Sequence, residues 1–323
     1  MRRWFKLALA VVLCIGALAS ARAEIYPSRP TRILVPFPPG GATDIVARIM
    51  AQRLSERLGQ QFVVENRPGA SGNIAIALAA KAAPDGYTLL ATSSVFVVNP
   101  SLYAGKVTWD PFRDFVAISC VGGSPNSLLA NPNLPAKDVQ ELIAWLRATP
   151  GTHGFATPGN GTTPHLAGEL FRMAYKLDLV AVPFAGAAPA LQSLMQGQTP
   201  IAFMTLSNAT ELIRAGNVRL LAVTGAKRSP AIPEAPTMEE AGVPDQVSDT
   251  LQFVLAPTGT PSVVIDTLHR EIVRLIALPD VRAQFAGLGF DSLANSPSEA
   301  AAQIKAEIDK WARVIHAAGI KIE

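Results

Sequence analysis

The residues that could do chemistry in this chain are mostly neutral, and they gather at one kind of join. Three times an apolar run ends in a small or glycine-rich turn and passes into a helix-like pattern. The first join is Pro36-Phe37-Pro38-Pro39-Gly40-Gly41-Ala42-Thr43-Asp44. The second is Gly159-Asn160-Gly161-Thr162-Thr163-Pro164-His165, and the third Phe184-Ala185-Gly186-Ala187-Ala188-Pro189. A helix start presents unpaired backbone N–H groups and a partial positive charge, so it attracts carboxylate or phosphate. Glycine lets a ligand approach the backbone closely. In the second join Thr163 reads as the N-cap with Pro164 at the first helical position, and Pro189 reads the same way in the third.

The candidate ligand-binding residues follow from these joins. They are Phe37, Pro39, Gly40, Gly41, Thr43 and Asp44, then Asn160, Gly161, Thr162, Thr163 and His165, then Phe184, Gly186 and Ala187. Gly40 and Gly41 make the first join the principal expected anchor. A valine at Gly41 would add a Cβ where the backbone must approach ligand or take a positive φ. Ser93 and Ser94 end another strand pattern and could donate hydroxyls or simply satisfy a turn. Asp44, an acid in a first helical turn, is a favourable dipole partner. Facing a carboxylate it would repel, so a functional role there is to hold water or orient the loop. His165 fits either a loop brace or a ligand donor.

Catalytic and metal patterns are absent. There is no Gly-x-Ser-x-Gly elbow, Ser-x-x-Lys, phosphate P-loop or His-Glu-x-x-His. Pro164 occupies the third glycine position of what would be a dinucleotide fingerprint from Gly159. The histidines, at 153, 165, 269 and 316, lack metal-ligand spacing. The chain is expected to be no enzyme and to need no cofactor or metal.

The first residues set the compartment. Arg2, Arg3 and Lys6 precede the apolar run Leu7–Ala19, and Ala21-Arg22-Ala23 follows as a small-x-small cleavage pattern. The run is too short to span a bilayer, so residues 1–23 read as a secretory signal cleaved after Ala23. The full chain has 28 basic and 25 acidic residues. Four of the basic ones leave with the signal, so the mature protein carries a formal net charge of −1. Nothing in that balance suggests nucleic-acid binding, which needs a concentrated cationic face. Cys120 remains as the one cysteine, expected to be a buried small hydrophobe. The remaining 300 residues exceed one ordinary core, and two lobes are expected.

Short apolar runs alternating with helical patterns predict an α/β fold with mainly parallel strands. Strands are expected at 32–37, 62–65 and 87–92, with helices over 44–58 and up to about 81. The runs 116–121 and 127–130 read as a crossing into a second lobe. There helices are expected at 137–147, 165–175 and 190–196, and strands at 154–156, 179–182 and 201–204. The run 220–224 reads as the return. Two helices close the chain, one capped by Thr260 with Pro261 first, the other opening with the capping box Ser296–Glu299. In the last, Ile304, Ile308, Trp311 and Ile315 make the buried stripe. The lobes are thus residues 24–122 with 224–323, and residues 123–223.

The order of the motifs resembles one family. YPSRPTRILVPFPPGGATDIVAR, VVENRPGASGNIA, APDGYTLLATSS, Asn99-Pro100, GNGTTPHLAGELF, VPFAGAAPALQSLMQG, LLAVTGAKRSP, APTMEEAG and APTGTP follow one another as in the Bug-type receptors of tripartite tricarboxylate transporters. The resemblance spans essentially the whole mature sequence. It implies a two-lobe periplasmic-binding-protein fold of type II-like build, two sheets with flanking helices joined by a two-strand hinge. It also implies a small carboxylate ligand, delivery to membrane permease subunits, and a receptor expected to be monomeric. The loop matching Pro36–Asp44 is the family's signature, holding waters that bridge to a ligand carboxyl. The loops matching Ser93-Ser94, Gly159–His165 and Phe184–Ala187 line the opposite walls. Relatives often place an aspartate after the strand 201–204, where this chain has Thr205. That argues against recognising an amino group. The signature loops also carry no arginine, which points to recognition by neutral donors and water and to a ligand of low charge or incompletely paired. A receptor acting on a membrane sensor kinase is the alternative, and a periplasmic hydrolase a third reading.

Overall fold

This computed structural model describes residues 26–149, 151 and 153–320. The expected signal segment, residues 1–23, lies outside them. In chain order the strands are β1 (Thr31–Val35), β2 (Phe62–Asn66), β3 (Thr88–Ser93), β4 (Phe115–Ala130), β5 (His153–Thr157), β6 (Leu179–Pro183), β7 (Ile201–Thr205), β8 (Arg219–Val223), β9 (Asp249–Pro257) and β10 (Asp291–Ser292). The helices are α1 (Ala42–Leu58), α2 (Asn73–Ala80), α3 (Val95–Leu102), α4 (Val139–Ala148), α5 (Thr163–Ala174), α6 (Ala187–Met195), α7 (Leu206–Arg214), α8 (Ser262–Ile276), α9 (Pro279–Gly287) and α10 (Pro297–Ala318).

β1 pairs in parallel with β2 and β3, and β9 and β4 extend that sheet antiparallel. β4 then leaves it. Its residues Asn126–Ala130 pair with β7, and β8 lies on its other edge. β5 pairs in parallel with β7 and β6 and completes the second sheet. One strand therefore stitches two sheets, with β9 alongside it as far as the pair Pro125↔Asp249. The two short runs expected at 116–121 and 127–130 are this one strand. Gly122, Gly123 and Pro125 interrupt its apolar pattern because neighbours pass close. A Cβ on Gly122 would lie 3.0 Å from the Asp291 carbonyl, and one on Gly123 3.1 Å from Leu251.

The first sheet is covered on both faces, so its strands are continuously apolar rather than alternating. Ile33 and Val35 meet α1, α8 and α9; Leu34 between them meets α2, α3 and α10. In the second sheet Leu128, Phe155 and Phe203 lie under α4 and α5, while Leu129, Ala156 and Met204 lie under α6 and α7. α5 rides close on β5 because Gly168 has no side chain. A Cβ there would stand 2.2 Å from the Phe155 ring.

Several expectations shift. The run 220–224 is β8, inside the second sheet, and the following segment stays there, with Met238 and Val243 packed in the same cluster as Leu128. The chain re-enters the first sheet at β9. Three helices, not two, close the chain, and α8 begins at Ser262 with Pro261, not Thr260, at its N-cap. The capping box at Ser296–Glu299 forms, and Ile304, Trp311 and Ile315 are buried with Ile308 half-buried beside them. Cys120 is buried and free, and burial pushes its thiol up to about 12.

Candidate functional site

Between the sheets lies a cavity of about 140 Å3, walled by the loops that leave the carboxyl ends of β1, β3, β5, β6 and β7. That is where open α/β sheets place their ligands. Of the residues singled out by sequence, Phe37, Pro39, Gly40, Gly41, Thr43, Ser93, Thr162, Thr163, Gly186, Ala187 and Thr205 line it. Asn160 and Phe184 line a wider adjoining pocket of about 520 Å3, which shares Phe37, Thr162 and Gly186 with the first. Asp44, Ser94, Gly161 and His165 line neither. The sequence missed Asn208 and Thr250, which also line the cavity. They sit on α7, a short amphipathic helix that follows β7 directly, and on β9, which is buried on both faces and so carries no alternation. The amphipathic spacing of residues 206–214 was the available pointer to α7.

Four helices aim their N-termini at this space, and their starts differ. α1 and α6 begin from Gly41 and Gly186, with no side chain capping the first N–H groups. The two starts meet across the cavity, since a Cβ on Gly186 would lie 3.5 Å from Pro38. α5 is capped by Thr162, whose hydroxyl accepts from the His165 N–H at 3.4 Å. The expected N-cap, Thr163, is instead the first helical residue. Pro164 is second, and Pro189 is third in α6 rather than first. α7 starts at Thr205, and its Ser207 N–H donates to Ser124 Oγ.

No lysine, arginine, histidine, aspartate or glutamate is among the lining residues. Backbone dipoles must therefore supply whatever positive potential the cavity holds. Among the described residues no group of three or more His, Cys, Asp and Glu could hold a metal, and no helix is long and apolar enough to cross a membrane.

The residues that sit behind the walls brace them. Asp44 is 2 % exposed. One carboxylate oxygen accepts from the Gly40 N–H and from Arg48 Nε, both at 2.9 Å, and the other from Asn66 Nδ2 at 2.8 Å. Burial alone would push this carboxyl up. The Arg48, Gly40 and Asn66 hydrogen bonds outweigh it and hold the carboxyl below the usual range. His165 does the matching work in the second loop: its Nδ1 accepts from the Gly161 N–H at 3.3 Å. That assigns the ring proton to Nε2, and burial depresses the imidazole's pKa, partly opposed by Glu169. Ser94 Oγ accepts from the Leu251 N–H at 2.9 Å and ties β9 to the end of β3. The positive φ belongs to Gly40, at 83°, and not to Gly41, at −80°. The strain expected of valine at Gly41 is therefore corrected. A Cβ there meets only the Pro38 carbonyl, at 3.7 Å, beside the cavity.

A hydroxyl cluster forms the remaining wall. Thr250 Oγ1 lies 2.9 Å from Asn126 Oδ1, 2.5 Å from Thr163 Oγ1 and 3.0 Å from Thr205 Oγ1. Asn126 Nδ2 donates to the Ser248 carbonyl at 3.3 Å.

Known proteins share this architecture. The chain is 37% identical over 310 residues to protein BugT of Bordetella pertussis, covering 95% of each chain. It superposes on a protein of R. palustris solved with adipate at a TM-score of 0.89, with 35% identity over 92% of this chain and 99% of that one. It superposes on MatC of Rhodopseudomonas palustris, solved with bound malate, at a TM-score of 0.84, with 31% identity over 90% and 100%. The family model for tripartite tricarboxylate transporter family receptors, TctC, matches residues 46–320. This chain belongs to that receptor family.

Proposed function

We propose that the chain is a periplasmic receptor that captures one small carboxylate in the cavity between its sheets and delivers it to the permease subunits of a tripartite tricarboxylate-type transporter. The observation that carries this is the meeting of two glycine-led helix starts, α1 and α6, across a cavity lined by no charged side chain. Free N–H groups at both starts can donate to a carboxylate directly or through water. Adipate and malate in the two related structures support the ligand class. The same reading makes residues 1–23 an export signal and gives the protein two lobes that close on the ligand. The packing favours placing the second crossing at β9 rather than at residue 224.

Binding is expected at micromolar dissociation constants or tighter, about −8 kcal/mol. A thermal-shift screen of small carboxylates followed by calorimetry tests it. Gly41→Val fills the space before α1 and should weaken binding about tenfold to a hundredfold, whereas Lys305→Ala, on the exposed face of α10, should not. Equal binding by a folded Gly41→Val would remove the loop as anchor. Conversion of the ligand to product would replace the receptor reading with catalysis.

A further inference from the structure

The hydroxyl wall has a direction, and the direction selects a ligand. The Ser248 carbonyl can only accept, so the Asn126 amide must present its nitrogen there and its oxygen to Thr250. Thr250 lies 2.9 Å from that oxygen against 3.5 Å for Thr163, so the Thr250 proton goes to Asn126. A hydroxyl has one proton to give. Thr250 therefore acts as acceptor toward Thr163 and Thr205, whose own protons turn to it at 2.5 and 3.0 Å. What Thr163 and Thr205 show to the cavity is lone pairs. Beside them Asn208 Oδ1 is buried without a partner. The nearby Ser207 N–H is already taken by Ser124 Oγ. The side-chain oxygens at this end are acceptors, set beside the first turns of α5 and α7, while the end between Gly41 and Gly186 offers backbone donors.

We infer that the cavity selects monocarboxylates whose far end carries a neutral hydrogen-bond donor, a hydroxyl or a primary amide. This rests on the proposed carboxylate-binding reading and narrows it. A second carboxylate would meet lone pairs, and a methyl end would leave Asn208 unsatisfied. An ammonium end would find no negative side chain in the lining.

The test is calorimetry at pH 7 with straight-chain acids of four to six carbons ending in carboxylate, hydroxyl, primary amide, methyl or ammonium. At the length that binds best, the hydroxyl or amide acid should bind at least tenfold tighter than the dicarboxylate and the methyl acid. Thr205→Val removes one acceptor and should shrink that advantage severalfold. Thr250→Val should shrink it further, because it frees the Thr163 and Thr205 protons to face the cavity and serve a carboxylate. A general loosening of the site would weaken all five ligand types alike and leave their order unchanged. Tighter binding of the dicarboxylate or the ammonium acid by the wild-type protein overturns the inference and leaves the receptor reading standing. Binding of none of the acids overturns both.

Discussion

The loops after β1 and β5 solve one problem with two different acceptors. In each, a glycine adopts the left-handed conformation, Gly40 at φ 83° and Gly161 at φ 74°. In each, that glycine's N–H donates to the side chain four residues on, inside the first turn of the next helix. The first loop uses the ionised, arginine-paired carboxylate of Asp44; the second uses the neutral ring of His165. The loops therefore share geometry but differ in strength and in the pH at which they fail. A hydrogen bond to a charged group contributes about 1.5–3 kcal/mol, against about 1 kcal/mol for a neutral one.

The sharpest way to break the comparison is to remove both acceptors in turn. Asp44→Ala removes the acceptor of the Gly40 N–H, of Arg48 Nε and of one Asn66 hydrogen bond, and should cost about 2–3 kcal/mol of stability and at least tenfold in ligand affinity. His165→Ala strands one N–H and should cost about 1–2 kcal/mol. Denaturant unfolding and calorimetry of both variants decide it, and a larger loss at His165 would reverse the ranking.

Acid should separate the loops next. His165 has a folded pKa below its unfolded one, so the unfolded chain binds the extra proton first. Its contribution is complete above about 6.5 and declines as pH falls from there toward the folded value. Asp44, also depressed, contributes fully above about 4 and loses that contribution only as pH falls through its lower folded value. Asp249, at the inter-sheet crossing, runs the other way. Burial raises it to about 6, with Lys310 opposing and Asp291 and Glu307 adding, so its contribution is present below about 4 and lost as pH rises through 6. Unfolding free energy measured from pH 4 to 8 should lose its decline below 6.5 in His165→Gln and its decline above 4 in Asp249→Asn. A profile unchanged in both variants would refute the assignments.

The glycines separate by backbone conformation, and the smallest effect of all lies at Gly41. Gly40→Ala pays only for the left-handed backbone, about 1–2 kcal/mol, because nothing lies within 4 Å of the new Cβ. Gly161→Ala should cost more, since its Cβ would also stand 2.9 Å from Leu102 and 3.1 Å from Asn99. Gly41→Ala, with an ordinary φ, should change stability by less than about 0.5 kcal/mol. Thermal unfolding of the three variants gives the order, and equal costs at 40 and 41 would deny the difference in backbone.

The sequence by itself determined the local events. The strand-turn-helix joins, the glycine turns and the capping box follow from residues within a few positions of one another. Nine of the lining residues could be named because a helix start and its glycine are adjacent in the chain; Ser93 came from a strand end and Thr205 from the family resemblance. Short buried runs were not legible. VFVVNPSL became α3 and TLQFVLAP became part of β9, since a segment apolar on every side carries no period to tell helix from strand. The side-chain roles were decided only in three dimensions. Whether Asp44 and His165 face the cavity or support it depends on where Gly40, Gly161, Arg48 and Asn66 stand around them. The direction of the Thr250 hydroxyl depends on Asn126 and Ser248, 124 and 2 positions away, and a proton's direction is set by which partners can only accept. No spacing along the chain encodes that, because the partners meet through β4 and β9, whose pairing exists only in the folded sheet.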